Sequence, residues 1–148
     1  MNNNLTLPVR AEVFIPHRPP MRLVDTLISY EEVGGLVETT IPADCILADP
    51  DGALDEAAFI ELLAQSYAVI KGYDDTLHGK DISEGYLVGV RKMRITGRAN
   101  AGDKLLIRIR TVGCFEGFAV AEGEIVCAEE TIASGSIKLW IVSGNGAP

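Results

Sequence analysis

The sequence predicts an α+β fold in which an antiparallel sheet wraps around one long central helix. A single segment in the middle of the 148-residue chain has the pattern of a long helix, and it is apolar on most of its faces. Two strand-like segments precede it and four follow, joined by short turns that favour antiparallel pairing. Because a helix that is apolar on most faces must be buried, we expect the strands to enclose it.

The first part of the chain is expected to be irregular and then to form two strands. Residues 1–12 are expected to be poorly ordered. The proline-rich segment Pro16–Pro20 lacks amide donors and has fixed φ angles, which makes it extended. Strands are predicted over Met21–Tyr30 and Leu36–Ile41, with a turn at Glu31–Gly35 between them.

The central helix is predicted to run from Asp55 to about Ile70. Asp55 can act as the N-cap, and Glu56 lies in the first turn, where the helix dipole favours an acidic side chain. Gly72 is a typical C-terminal stop signal. The segment before the helix, Pro42 to Asp55, has turn chemistry and is expected to be a loop.

Four further strands are predicted after a polar loop at residues 73–84. They cover Tyr86–Ile95, Lys104–Val112, Phe115–Val126 and Thr131–Val142, with glycines marking turns or bulges. The chain contains no linker-like composition and no internal repeat. We therefore expect residues 1–148 to form one domain, since this length suits a single hydrophobic core.

The composition is that of a globular protein. Hydrophobic residues make up 47% and charged residues 23% of the chain, and no apolar run reaches the roughly 20 residues that span a bilayer. The N-terminus lacks the basic and apolar regions of a secretory signal. Cys45, Cys114 and Cys127 are odd in number and lack the spacing of a zinc site. We expect a cytoplasmic protein with no membrane span, no metal and no cofactor.

Charge is unevenly distributed along the chain. The formal net charge is -8, yet the segment from Arg91 to Arg110 contains seven basic residues and one acid. An acidic chain argues against nonspecific binding of nucleic acid, which needs an extended cationic face. The basic segment is either the solvated outer side of a strand pair or a docking site for an acidic partner or a phosphate-bearing arm.

Glu61 is the anomalous residue of the apolar helix. A buried carboxylate is costly unless it is paired, protonated, or facing a cavity that holds water or substrate. One interpretation is a Glu at the helix surface that contacts an arginine. The other is a general acid in an active site. Gln65 lies one turn further on the same face and could orient it.

His17 is the second candidate for chemistry, because it is one of only two histidines and prolines hold its backbone. It either fixes its own loop through a hydrogen bond or acts in catalysis. The other histidine, His78, lies in a polar loop and is expected to be solvated. No phosphate-binding or nucleophile-elbow motif is present in the chain.

Three blocks of the sequence occur in an order that is typical of one enzyme family. They are Ile15-Pro-His-Arg-Pro-Pro-Met-Arg-Leu-Val-Asp25, Glu61-Leu-Leu-Ala-Gln65, and Gly89-Val-Arg-Lys-Met-Arg-Ile95 followed by Gly102-Asp-Lys-Leu105. Together they resemble the 3-hydroxyacyl-acyl-carrier-protein dehydratases, a hotdog-fold family, from residue 13 to about residue 142. The resemblance implies a sheet wrapped around a long helix, elimination of water from a 3-hydroxyacyl thioester in fatty acid or polyketide synthesis, and a homodimer with its site at the subunit interface.

The chain departs from the family at the position of the catalytic histidine. The family has a G-H-F-P motif fourteen residues before the helix glutamate, and here Leu47 occupies the position of that histidine. Glu56 replaces the glycine that the family has at the helix start. The sequence therefore resembles a divergent branch that has lost the G-H-F-P motif.

From this resemblance we form a hypothesis about the roles of the site residues. His17 is the base that takes the α-proton, and Glu61 is the acid that protonates the leaving hydroxyl. Gln65 binds substrate, and backbone amides at the helix N-terminus polarise the thioester carbonyl. Arg91, Lys92 and Arg94 dock the acidic acyl carrier protein, which brings the substrate on a phosphopantetheine arm.

Two other functions are compatible with the same residues. A hotdog acyl thioesterase would use Glu61 to activate water and would need no histidine. A non-catalytic subunit that binds acyl carrier protein would explain the absence of the G-H-F-P motif most simply. The carrier itself could also be coenzyme A instead of acyl carrier protein.

Overall fold

The computed structural model describes residues 5–142 as a seven-stranded antiparallel sheet around one α-helix. The strands are β1 (Val9–Arg10), β2 (Thr26–Glu31), β3 (Gly34–Thr40), β4 (Glu84–Ile95), β5 (Lys104–Phe115), β6 (Phe118–Cys127) and β7 (Glu130–Val142). Their order in the sheet is β1-β2-β3-β5-β6-β7-β4, and every neighbouring pair is antiparallel. This arrangement confirms the predicted α+β hotdog fold.

Helix α1 runs from Glu56 to Leu77, and it begins where the sequence predicts. The Asp55 side chain caps it by accepting a hydrogen bond from the amide of Ala57 at 3.3 Å. The prediction that Gly72 stops the helix is wrong. A Cβ at Gly72 would lie 2.8 Å from the Cβ of Phe14, so this glycine permits close packing inside the helix.

The helix packs against the inner face of the sheet. Outward and inward side chains alternate along β5, where Ile107 and Ile109 are buried and Arg108 and Arg110 are exposed. A Cβ at Gly123 of β6 would lie 2.6 Å from a methyl carbon of Leu63, so the helix approaches the sheet most closely there. The helix is enclosed as the sequence predicts, because its apolar faces need cover on several sides.

The segment before β2 is structured differently from the prediction. A strand was expected from Met21, yet β2 begins only at Thr26. The amide of Met21 donates to the Arg18 carbonyl in a turn at 2.8 Å, and the amide of Leu23 donates to the Gln65 side chain at 2.8 Å. These amides are used by a turn and by the helix, and they are not available to a strand ladder.

Residues 5–12, expected to be poorly ordered, contact the rest of the domain. Val9 of β1 pairs with Leu27 of β2, and Ala11 is fully buried. The Tyr73 hydroxyl of α1 donates to the Leu5 carbonyl at 2.8 Å. Residues 1–4 and 143–148 lie outside the described residues, so the predicted single domain is described here only over 5–142.

The last three strands begin or end within a few residues of the predicted bounds. Phe115 ends β5 instead of starting β6, because Glu116 and Gly117 form a two-residue turn with positive φ angles of 51° and 85°. Strand β4 forms one end of the sheet and contains two register shifts, between Leu87 and Gly89 and between Arg91 and Arg94. In the described part of the chain, no helix is long and apolar enough to cross a membrane.

Candidate active site

A cavity of about 180 Å³ lies between helix α1, the segment that carries His17, and the ends of β4 and β7. Both residues proposed for catalysis, His17 and Glu61, line it, and so does Gln65. The other lining residues are Ala64, Tyr67, Ala68, Lys71, Ser83, Glu84, Gly85, Leu87, Leu139 and Ile141. A single chain thus brings together two residues that are far apart in the sequence.

Gln65 connects Glu61 to the segment that carries His17. Its Nε2 donates to Oε2 of Glu61 at 2.9 Å and to the Met21 carbonyl at 2.9 Å, and its Oε1 accepts from the Leu23 amide at 2.8 Å. The side chain is only 2% exposed. Both amide hydrogens are therefore used inside the protein, and one of them makes the contact expected of a residue that orients Glu61.

His17 presents an unpaired ring nitrogen. Its Nδ1 is buried and has no hydrogen-bond partner among the described residues. The Arg18 guanidinium fixes the backbone around it by donating to the carbonyls of Ile15 and His17, each at 2.8 Å. The loop is therefore held by Arg18, and no hydrogen bond from Nδ1 takes part in holding it. A buried polar atom without a partner is rare and calls for an explanation, such as a bound water molecule or a catalytic role.

Tyr67 and Lys71 also line the cavity, and neither was predicted from the sequence. Tyr67 is 4% exposed, and its burial raises the pKa of the phenol well above the ordinary value, so the hydroxyl is a donor at neutral pH. Lys71 forms an ion pair of 2.6 Å with the buried Asp75. Three or four residues separate Glu61, Ala64, Ala68 and Lys71 from one another in turn, which places them on one helix face. This spacing can be read from the sequence.

The shape of the cavity suits an apolar chain. Ala64, Ala68 and Gly85 are small and leave room along the helix, while Leu87 and Leu139 form an apolar wall. A second cavity, of about 390 Å³, adjoins the first, and Tyr67 and Lys71 line both. Small and apolar residues beside the titratable side chains of His17 and Glu61 are compatible with an acyl substrate.

The Asp75 carboxylate stabilises the part of the cavity wall that lies just before β4 in the chain. It is 1% exposed, and besides Lys71 it accepts a hydrogen bond from the amide of Ser83 at 2.9 Å. Residues Ser83 and Gly85 line the cavity directly. This buried carboxylate therefore fixes the loop between α1 and β4 against the helix, because it has a charged and a neutral partner.

The loop that replaces the family's G-H-F-P motif takes no part in this cavity. Leu47 packs against the hydrophobic core, and its carbonyl accepts from the Asp55 amide at 2.8 Å. The first turn of α1 is also absent from the cavity lining among the described residues. The expected use of its amides to polarise a carbonyl therefore has no support in the geometry of this chain.

The basic residues predicted to dock a carrier lie away from the cavity. Arg91, Lys92 and Arg94 occupy the second half of β4, whereas the cavity is lined by the beginning of that strand. Lys92 and Arg94 line a separate groove of about 470 Å³ on the outer face of the sheet. Within residues 5–142, none of the three forms an ion pair.

The fold and this cavity define a hotdog protein with a carboxylate and a histidine at one internal site. The chain belongs to the family of ApeP-like dehydratases, whose model matches residues 9–143. It is 25% identical to the 3-hydroxyacyl-[acyl-carrier-protein] dehydratase FabZ of Xylella fastidiosa strain M12, over 90% of this chain and 93% of that protein. It is 27% identical to the FabZ of Histophilus somni strain 2336, over 76% and 81%.

Solved structures show the same fold. The dehydratase heterocomplex ApeI:P from Xenorhabdus doucetiae contains a chain with a TM-score of 0.84 and 24% identity, covering 93% of this chain and 94% of that one. A hypothetical thioesterase from Streptococcus pneumoniae, solved with coenzyme A, has a TM-score of 0.62 and 12% identity, covering 79% and 84%. The sequence-based assignment to a hotdog dehydratase family is thereby confirmed.

Proposed function

We propose that this dehydratase eliminates water from a 3-hydroxyacyl thioester, with His17 as the base and Glu61 as the acid. The observation that carries the proposal is that His17 and Glu61 line one cavity. The FabZ relatives are named for a 3-hydroxyacyl substrate of this kind. Each positioned acid or base contributes about 10²–10⁴-fold to a rate.

The two groups divide the reaction between them. A ring nitrogen of His17 takes the α-proton, and the electrons of that C–H bond form the C=C bond. The C–O bond at the β-carbon breaks, and the hydroxyl leaves as water with a proton from Glu61. The products are an enoyl thioester and water, and the protons are balanced once His17 and Glu61 exchange them with solvent.

Gln65 is a positioning residue in this proposal instead of a direct substrate ligand. Its amide holds Oε2 of Glu61 and two backbone groups of the segment that follows His17. Because both of its hydrogens are engaged, it restrains the acid and the base relative to one another. The acyl chain then extends over Ala64 and Ala68 towards Tyr67, where the two cavities meet.

The carrier of the substrate is proposed to be acyl carrier protein. The FabZ relatives are named for a substrate on this carrier. Arg91, Lys92 and Arg94 are exposed and free of ion pairs in the described part of the chain, which suits contact with an acidic protein. Cys45, Cys114 and Cys127 are all free thiols, which fits the reducing cytoplasm as the location.

A second subunit is proposed to pair along β4 and form a homodimer. This 12-residue strand is at the end of the sheet, and it exposes Val88 and Val90 by 53% and 36%. A long apolar edge strand needs a partner or cover. Because the start of β4 lines the cavity, a subunit on this edge would lie next to the active site. The ApeI:P neighbour is a heterocomplex, so a homologous partner chain is the alternative.

The activity is tested with a 3-hydroxyacyl pantetheine thioester, by following enoyl formation through its ultraviolet absorbance. We expect the wild-type protein to form the enoyl product and Glu61→Gln to lose it by about 10²–10⁴-fold. Glu56→Gln is the matched control, because Glu56 is exposed on the same helix and outside the cavity. Release of free thiol without enoyl product would identify a thioesterase, and inert protein would identify a non-catalytic subunit.

The oligomeric state is tested separately by light scattering at micromolar concentration. We expect a dimer for the wild-type chain and a monomer for Val88→Asp, because a charge on the paired edge opposes association. Val33→Asp is the control, since Val33 is similarly exposed, at 50%, but lies in the turn between β2 and β3. A wild-type monomer would contradict the homodimer and leave the heterologous partner as the explanation for the exposed edge.

A further inference from the structure

A row of four aromatic side chains crosses the outer face of the sheet. In the register of the strands, Phe115 pairs with Phe118, Phe118 pairs with Trp140, and Trp140 pairs with Tyr86. These pairs link β5, β6, β7 and β4 in their order in the sheet. With neighbouring strands about 4.8 Å apart, the row spans about 14 Å. We call these four residues the aromatic row.

The aromatic row is exposed and held in place. Phe115, Tyr86 and Trp140 have 58%, 53% and 40% of their surface exposed. The rings of Phe118 and Trp140 meet edge to face with centroids 4.7 Å apart. A Cβ at Gly117 would lie 2.9 Å from the Trp140 ring, so the glycine lets the indole pack against the hairpin turn. Ordered, exposed aromatic side chains are typical of protein interfaces.

Beside the aromatic row lies the groove of about 470 Å³, which we call the basic groove. Lys92, Arg94, Arg108 and Arg110 line it, together with Glu122 and Glu124 and a floor of serines and glycines. It lies about four residues along β7 from Trp140, or about 13 Å. Lys138 lies between the two features, with its ammonium 4.4 Å from the Phe118 ring centre.

The charges of the basic groove are only partly compensated. Arg108 and Arg110 lie 3.6 Å and 3.9 Å from the carboxylates of Glu124 and Glu122, and all four side chains are exposed. Such pairs contribute little to stability and are exchanged readily for another partner. Lys92 has a φ of 56°, at a bulge that directs it into the groove, and it has no ion pair within residues 5–142.

We propose that the aromatic row and the basic groove together form the docking surface for the acidic acyl carrier protein. The aromatic row supplies a central apolar contact, with Trp140 as its anchor, and the basic groove supplies charge complementarity to acidic side chains. Aromatic residues and arginines account for much of the binding energy in protein interfaces. This inference rests on the carrier-bound substrate of the proposed function and adds the apolar half of the contact.

Charge selects an acidic partner over a second copy of this chain on the same surface. Around the aromatic row and the basic groove, the outer face carries six basic side chains, namely Arg91, Lys92, Arg94, Arg108, Arg110 and Lys138. The same area carries three acidic ones, namely Glu84, Glu122 and Glu124. The surface is therefore positive although the whole chain has a net charge of -8. Two such faces packed together would repel one another, whereas an acidic protein is attracted.

The proposal is tested with Trp140→Ala and Phe115→Ala, using two substrates that differ only in the carrier. With the 3-hydroxyacyl group on holo acyl carrier protein, we expect kcat/KM to fall about 10–100-fold for Trp140→Ala, mainly through KM, and less for Phe115→Ala. With the same group on pantetheine, kcat/KM should be unchanged. Ile46→Ala is the control, because Ile46 is 49% exposed and lies away from this face.

A second measurement separates docking from catalysis. Calorimetric titration with holo carrier that lacks an acyl group should show weaker binding by Trp140→Ala, and Arg91→Glu/Lys92→Glu/Arg94→Glu should lose binding and most of its salt dependence. If the variants bind the carrier and turn over carrier-bound substrate like the wild-type protein, the docking surface is contradicted, even if pantetheine substrates are turned over. If pantetheine substrates are inert but titration shows these losses, the proposed activity fails and the docking surface stands. A change of oligomeric state in Trp140→Ala, with carrier binding intact, would instead assign this face to self-association and overturn the proposal.

Discussion

Two segments border the N-terminal half of helix α1, and only one of them brings a functional group to the cavity. The segment Ile15–Asp25 contacts the helix through polar groups, because Gln65 bonds to the Met21 carbonyl and the Leu23 amide. The segment Pro42–Asp55 contacts it through apolar side chains, and Leu47 and Leu54 pack against the core. A cavity of only about 10 Å³ lies between this second segment and the helix, lined by Leu54 and Leu62 among others.

This difference explains how a dehydratase site can lack the family's usual histidine. A space of about 10 Å³ is at the lower limit for one water molecule and cannot hold a substrate. The cavity of about 180 Å³ lies at a different face of the helix, and His17 lines it. In the proposed mechanism the glutamate is shared with the family pattern, while the histidine comes from a different loop. The position of the cavity would then decide which loop can supply the base.

The largest effect is expected from His17→Ala. If His17 is the base, enoyl formation should fall by about 10²–10⁴-fold, while circular dichroism shows a folded protein. The double variant His17→Ala/Glu61→Gln should be little slower than either single variant, because the two groups act as a unit. Full activity of His17→Ala would show that His17 has a structural role only.

A histidine moved to the family's position tests which loop supplies the base. Leu47→His, placed in the His17→Ala background, restores a histidine at the position that the family uses. We expect no recovery of enoyl formation, because Leu47 faces the core and not the cavity. Recovery by 10-fold or more would show that the loop at 42–55 can form a site, and it would contradict the assignment of the cavity.

Gln65→Leu should lower both activity and stability. The leucine preserves the volume but leaves the Leu23 amide and the Met21 carbonyl without a partner, at a cost of about 1–3 kcal/mol each. It also frees Glu61, so we expect kcat to fall by about 10-fold or more with a smaller change in KM. Gln65→Glu separates the two roles, because it keeps an acceptor for the Leu23 amide and loses the donors. Unchanged kcat in both variants would remove the positioning role.

The smallest effects are expected on stability alone. Leu47→Ala removes apolar contacts from a half-buried position, so we expect a loss of about 1–2 kcal/mol in the free energy of unfolding. Its kcat on pantetheine substrates should equal that of the wild-type protein. Chemical denaturation measures the first quantity and the absorbance assay the second. A loss of kcat at full stability would connect the 42–55 loop to catalysis.

Much of the fold follows from local patterns. The start of α1 is readable because Asp55 is a capping residue and Glu56 suits the helix dipole. The strands of the second half are readable because apolar and charged residues alternate, as in β5. The end of α1 cannot be predicted from the sequence, because Gly72 resembles a helix stop signal. Only the contact with Phe14 shows that Gly72 permits close packing. The start of β2 was missed for a related reason, since the amide of Leu23 is taken by Gln65.

The candidates for chemistry can be picked out from the sequence, whereas their arrangement depends on the tertiary structure. Glu61 and Gln65 stand out because polar side chains in an apolar helix are costly to bury, and their spacing of one turn predicts their hydrogen bond. His17 stands out only as a histidine among prolines. That its Nδ1 is unpaired, and that Tyr67 and Lys71 share its cavity, depends on packing between distant segments. The aromatic row is likewise invisible in the sequence, because strand register alone places Phe115, Phe118, Trp140 and Tyr86 side by side.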